Sequence, residues 1–155
     1  GTSPTRRIFA RVGPERSAVM AAEADEELRL VDVDVGSKRV RIAFKRNSYG
    51  DYVKIAEVPA DRGKVNIPAA GVVRVRDGLV ALREAASGAD GGGHGGGHAE
   101  TLASRRVDVD AKTFFLDLRR NSKGLYALIS EVLGQRITVL LPVEGLTPVI
   151  DALTT

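Results

Sequence analysis

The sequence predicts an α+β fold in which a ββββα unit occurs twice. Three observations lead there. Sliding the 155-residue chain against itself gives one dominant ungapped register, an offset of 74 residues with 19 identities in the 47 positions from Val33 to Leu79. Within each copy, apolar residues first alternate with polar ones and then recur at helical spacing. Between the copies lies GADGGGHGGGH, too rich in glycine to hold regular structure cheaply. Repeats are read first because a missed one misassigns the whole fold.

Taken in order, residues 1–25 read as a tail. Its segment TRRIFARVGPERSAVMAA is Arg-rich and acid-poor, which fits a solvated tail or the remnant of a transit peptide. Val31–Val35 and Val107–Val109 are short alternating strands. Next, Val40, Ile42 and Phe44 alternate with Arg39, Arg41, Ala43 and Lys45; in the second copy Phe114, Leu116 and Leu118 alternate with Phe115, Asp117 and Arg119. A period of two marks a half-buried antiparallel strand. The following Asn-Ser-x-Gly, at Asn47–Gly50 and Asn121–Gly124, suits a tight hairpin turn. Third strands cover Tyr52–Val58 and Tyr126–Val132, and fourth strands Lys64–Ile67 and Arg136–Leu141. Val72, Val75, Leu79 and Leu82 then fall on one helical face, as do Leu146, Val149 and Leu153. The boundaries are therefore 26–84 for the first repeat, 85–99 for a flexible tether and 100–155 for the second repeat.

Composition excludes several classes of function. Apolar residues make up 43% of the chain, enough for a core, and no run approaches the ~18 residues that span a bilayer. Cysteine is absent, which removes disulfides, thiolate metal sites and cysteine nucleophiles. The net charge of +3 permits a nucleic-acid partner without requiring one. No phosphate-cradling GxxxxGK[ST] loop and no GxSxG elbow occur, so an enzyme is not expected. The two histidines, His94 and His98, lie in the tether, where the fixed geometry of a metal site is lacking. Neither metal nor cofactor is expected. Glu57 and Glu131 occupy equivalent places and read as strand ends or as partners of nearby cations.

Two segments point to a family. FFLDLRRNSKGLYALISEV, and more loosely VRIAFKRNSYGDYVKIAEV, resemble the PUR repeat of the Pur-alpha family of single-stranded nucleic-acid-binding proteins. VNIPAAGVVRVRDGL and TVLLPVEGLTPVIDAL are similar to the strand-to-helix segment of plant members, so the resemblance covers about 125 of 155 residues. It implies two intertwined ββββα repeats in one PUR domain, similar to the Whirly fold, with curved sheets bearing nucleic acid and helices packed together. It also implies binding of purine-rich, G-rich single-stranded DNA or RNA in transcription, replication or mRNA regulation. A protein-interaction or dimerisation module is the alternative, and a homodimer stays open. The resemblance gives nucleus or cytoplasm as the compartment, while the Arg-rich start leaves the mitochondrion open.

If Val53 and Ile55 face the core, Tyr52, Lys54 and Ala56 face the other way, and Tyr126 matches Tyr52 in the second copy. A tyrosine beside a lysine on an exposed sheet is a stacking platform for bases; otherwise each ring caps a core edge with its hydroxyl in water. The family places a base-separating Phe here, and Tyr52 and Tyr126 keep the ring. The family's Ser-Lys is Ser37 and Lys38, but the second copy has Ala111 before Lys112, and Gly36 replaces the preceding Gln. Asn47 and Asn121 could read a guanine edge or simply hold the turn. The basic position two residues on is Lys123 in copy two but Tyr49 in copy one, and the next is lost to Asp51 and Leu125. From Val33 to Leu79 the balance of charge is +5, and from Val107 to Leu153 it is −1. The first repeat is therefore expected to supply most phosphate contacts through Lys38, Lys45, Arg46, Lys54 and Arg62, with Lys112, Arg119 and Lys123 from the second.

Overall fold

Each copy folds as four antiparallel strands and a helix, as its period predicts. The computed structural model describes residues 25–58, 63–89 and 99–154. The first copy runs β1 (Glu26–Val35), β2 (Lys38–Asn47), β3 (Gly50–Val58), β4 (Lys64–Pro68) and α1 (Ala69–Ser87). The second runs β5 (Glu100–Val109), β6 (Lys112–Asn121), β7 (Gly124–Leu133) and β8 (Gln135–Pro142), then a 3₁₀ turn (Val143–Gly145) and α2 (Leu146–Thr154). The sheets have the sequential orders β1-β2-β3-β4 and β5-β6-β7-β8. The β2–β3 and β6–β7 hairpins close as Asn47↔Gly50 and Asn121↔Gly124. Their glycines have φ of 127° and 123°, values an L side chain rarely adopts. The two asparagines hold these turns: Tyr49 N–H donates to Asn47 Oδ1 at 2.9 Å, and Lys123 N–H to Asn121 Oδ1 at 2.8 Å.

Inward residues of both sheets and both helices form a single core. Val40, Ile42, Val53, Ile55, Val65 and Ile67 from the first sheet join Phe114, Leu116, Leu118, Ile129 and Leu141 from the second. Val75, Leu79 and Leu82 of α1 and Leu146, Val149 and Leu153 of α2 complete it.

The helices are exchanged between the repeats. Although α1 follows β4, it lies on the second sheet: a Cβ at Gly71 would overlap Cγ2 of Val109, and one at Gly78 would overlap Leu116. Arg74 Nη1 donates to the Asp108 carbonyl at 2.9 Å on the same side. Reciprocally, Gly145, just before α2, comes so close to β1 that an added Cβ would stand 2.9 Å from Val35 Cγ2. Gly71 and Gly145 are related by the 74-residue offset, and so are Val35 and Val109. The exchange is thus twofold, and it is what intertwines the copies.

A pair of carboxylates joins the sheets along their last strands. Glu131 Oε1 accepts the Asn66 N–H of β4 at 2.7 Å, and its Oε2 lies 3.3 Å from Lys112 Nζ. That ammonium also donates to the Asn66 carbonyl at 2.9 Å. The counterpart, Glu57, accepts the Leu140 N–H of β8 at 3.2 Å and pairs with Lys38 Nζ at 3.4 Å. Each carboxylate therefore bridges a lysine of its own repeat and the edge strand of the other. Exposed edge N–H groups invite unwanted pairing, and these two are occupied from within.

Three boundaries differ from the sequence reading by three residues or more. β1 begins at Glu26 rather than Val31, because EELRL is exposed throughout and leaves no apolar alternation to read. A register shift between Glu27 and Arg29 breaks its pleat as well. β5 likewise begins at Glu100, with a shift between Thr101 and Ala103. α1 continues to Ser87, taking three residues from the stretch read as tether, because Ala85 and Ala86 pack against the core. The remainder of that stretch from 90 to 98, with His94 and His98, lies outside the described residues, as do the tail up to residue 24 and Arg62.

Candidate nucleic-acid interface

The first sheet turns its polar face outward with the register that alternation requires. Lys45 stands opposite Tyr52 and Ala43 opposite Lys54, while Tyr52 pairs with Pro68 and Lys54 with Asn66. Tyr52, Lys54 and Lys45 thus share one half-exposed surface, and Val53 and Ile55 are buried beneath it. Ala56 is buried despite facing outward, being too short to emerge between its neighbours. A shallow groove of about 240 Å³ on this face is bordered by Arg41, Lys45, Lys54 and Glu27.

Around the tyrosine a larger groove, about 410 Å³, brings three of the predicted residues together: Asn47, Tyr52 and Lys112. Tyr49, Asn66, Gly50 and Pro68 share its wall with three aspartates, Asp25, Asp51 and Asp110. Lys112 comes from the second repeat, so the site spans both copies. The Tyr52 hydroxyl donates to Asp25, the last residue of the stretch read as tail. Burial first, and then the Asp25 carboxylate, push its pKa upward, so the phenol stays protonated at any physiological pH. In the second repeat Tyr126 pairs with Arg119 on one side and Pro142 on the other, and is half-exposed like its counterpart. Lys38 of the first repeat is tied to the edge of this sheet through Glu57, which accepts the Leu140 N–H two residues before Pro142.

The cations differ in availability. Arg46 forks onto Asp51 at 2.7 and 3.3 Å, Arg41 onto Asp32 at 2.8 and 3.1 Å, and Arg39 onto Asp34 at 2.6 and 3.3 Å. Hydrogen bonds from these guanidinium groups hold the three carboxyls below their usual range. Each arginine is thereby neutralised near pH 7, including Arg46, whose partner Asp51 stands where the family has a basic residue. Lys38 and Lys112 are engaged in the inter-repeat joint. Lys45 and Lys123 have no carboxylate within ion-pair distance among the described residues, and Ser37 is exposed in the β1–β2 turn. Arg119 is half-buried, with its Nε lacking a hydrogen-bond partner among the described residues.

Two aromatic residues escaped the sequence reading. Tyr49, seen there only as a lost cation, is 96% exposed at the hairpin tip beside the groove. Phe115 occupies a polar slot of the β6 alternation and lies outward, with the Arg136 and Arg106 guanidinium carbons 5.1 and 5.8 Å from its ring centroid. The available signal was an aromatic in a polar turn for Tyr49 and at a solvent-facing strand position for Phe115.

Residues 25–155, which hold both repeats and the exchanged helices, match the family model described as PurA ssDNA and RNA-binding protein. The chain belongs to the PurA family. Its similarity to the transcriptional regulator protein Pur-beta-B of Xenopus laevis is 28% identity, covering 99% of this chain and 57% of that protein. To the transcriptional activator protein Pur-alpha of Homo sapiens it is 47% over 136 residues, covering 80% and 40%. To the transcriptional activator plp-1 of Caenorhabditis elegans it is 27%, covering 84% and 60%. The chain spans about half the length of these curated relatives. PurA membership places it among nucleic-acid-binding rather than catalytic proteins. No helix among the described residues is long and apolar enough to cross a membrane.

Proposed function

We propose that this chain binds purine-rich, G-rich single-stranded DNA or RNA and acts in transcription, replication or mRNA regulation. The groove uniting Asn47 and Tyr52 of one repeat with Lys112 of the other is the observation that supports this best. Tyr52 and Tyr126 stack bases, Lys45, Lys54 and Lys123 meet phosphates, and the turn asparagines present an amide beside the stacked base. The intertwined pair is read as a Whirly-like domain. The forked Arg–Asp pairs favour a second reading, a protein-interaction module with weak nucleic-acid binding, because they neutralise much of the positive surface of the first repeat.

Fluorescence anisotropy with a short G-rich strand, as DNA and as RNA, across a salt series separates the two. Tyr52→Ala or Tyr126→Ala is expected to weaken binding by ~1–3 kcal/mol, about one stacked base, with circular dichroism unchanged. A folded wild-type chain that binds neither strand at low salt leaves the interaction module as the function.

A further inference from the structure

We propose that the β5 flank of the second repeat is a separate contact region for a single strand, built on Phe115 and taking nucleotides beyond those at the tyrosine groove; this rests on the single-strand reading above. Phe115 stands opposite Ser130 on the same outward face as Arg119 and Tyr126. Two same-face steps separate its row from theirs, ~14 Å along the strand at ~3.4 Å per residue. That distance suits about two nucleotides of an extended strand. The ring is overlaid by two guanidinium groups whose side chains are 63% and 53% exposed, and an arginine plane is itself a surface on which a base can stack.

The carboxylates here hold their arginines less firmly than those of the first repeat. Arg106 reaches Asp108 at 3.2 Å through a single atom, and Arg136 reaches Asp117 only at 4.0 Å. Arg106 also lines an open groove of about 300 Å³ between β5 and α1, together with Arg74 and Arg105. The one carboxylate in that lining, Asp77, is taken by Arg76 at 2.9 Å. Arg106 thus lies over the ring on the outward face of an edge strand, while Arg105, from the other face, and Arg74 carry positive charge round the same edge.

Exposed arginines are usually no more than a solvated surface, and the copy-to-copy comparison argues against that here. The 74-residue offset maps Arg105 and Arg106 onto Val31 and Asp32, Arg74 onto Pro148, and Phe115 onto Arg41. The matching groove on the opposite flank has one arginine, Arg29, among three carboxylates, Asp32, Asp34 and Asp151. Duplication alone would have made the flanks alike. The second repeat has a balance of −1 over its core positions; Arg105 and Arg106, just outside them, and Arg74 of α1 add positive charge at this flank, where a polyanion with exposed bases fits.

The test uses the full chain and G-rich single strands of roughly five and twelve nucleotides, lengths within the range of small single-strand sites. Phe115→Leu keeps apolar bulk on the sheet and removes the ring. It is expected to weaken the long strand about fivefold or more and to leave the short strand, held at the tyrosine groove, unchanged. Arg74→Gln with Arg105→Gln should lower the slope of log affinity against log salt by ~1.4 for the long strand, about 0.7 per lost phosphate contact. Variants that bind the long strand as the wild type does, while Tyr126→Ala remains defective, overturn this region and leave the proposed function standing. Equal losses for both lengths overturn it too, by merging Phe115 with the tyrosine site. A wild-type chain that binds neither length at low salt overturns both readings.

Discussion

Glu131→Ala is expected to destabilise the fold by ~2–4 kcal/mol, the range for breaking a buried, hydrogen-bonded ion pair with some allowance for partial exposure. The carboxylate is 8% exposed and both its oxygens are in use. Its removal strands the Asn66 N–H and leaves Lys112, whose side chain is 20% exposed, without its counter-charge. Glu57→Ala, at the symmetry-related place, is expected to cost about half as much, since solvent reaches that pair more easily: its side chains are 24% and 27% exposed. Urea denaturation of the two variants measures the difference. Equal midpoints would mean that burial does not set the value of the joint. Glu131→Gln should fall between, because an amide oxygen can still accept from Asn66 while the charge opposite Lys112 is gone.

The second large effect belongs to a single methyl group. Alanine normally favours a helix over glycine by ~1 kcal/mol, yet Gly71→Ala is expected to lower stability by ~1–3 kcal/mol through overpacking. The added carbon would overlap Val109 Cγ2 and approach Val109 Cγ1 at 3.2 Å and Cβ at 3.3 Å. A β-branched side chain in a strand has no free rotamer to escape into. Val109→Ala in the same chain should restore much of the loss, since the two residues touch and their effects cannot be additive. Thermal melts of the two single variants and the double variant close the cycle. A neutral Gly71→Ala would mean that α1 can move off the second sheet.

Much of this was readable in the residues. The 19 identities gave the duplication, alternation at Val40–Phe44 and Phe114–Leu118 gave the strands, and the Asn-Ser-x-Gly segments gave the turns. The outward face of Tyr52 and Lys54 followed from the same period. The exchange of helices did not, because Val75 and Leu79 show that α1 has an apolar face but not which sheet covers it. The forked pairs were hidden for a related reason. Asp32 faces Arg41 and Asp51 faces Arg46 across neighbouring strands, so each neutralisation appears only once register is fixed. Phe115 needed more still, since one of its arginines arrives from β5, paired with its strand, and the other from β8, one strand beyond its other neighbour.

The reciprocal seating of Gly71 on Val109 and Gly145 on Val35 says something about ancestry. In one copy by itself the first helix lacks the sheet it mainly covers, that of the other copy. Two identical copies would supply each other, so the arrangement is that of a homodimer written along one polypeptide. Joining the halves in one polypeptide makes an encounter between molecules a local event, at an effective concentration on the order of millimolar. Selection could then alter one flank without altering the other, which a dimer of identical chains does not allow.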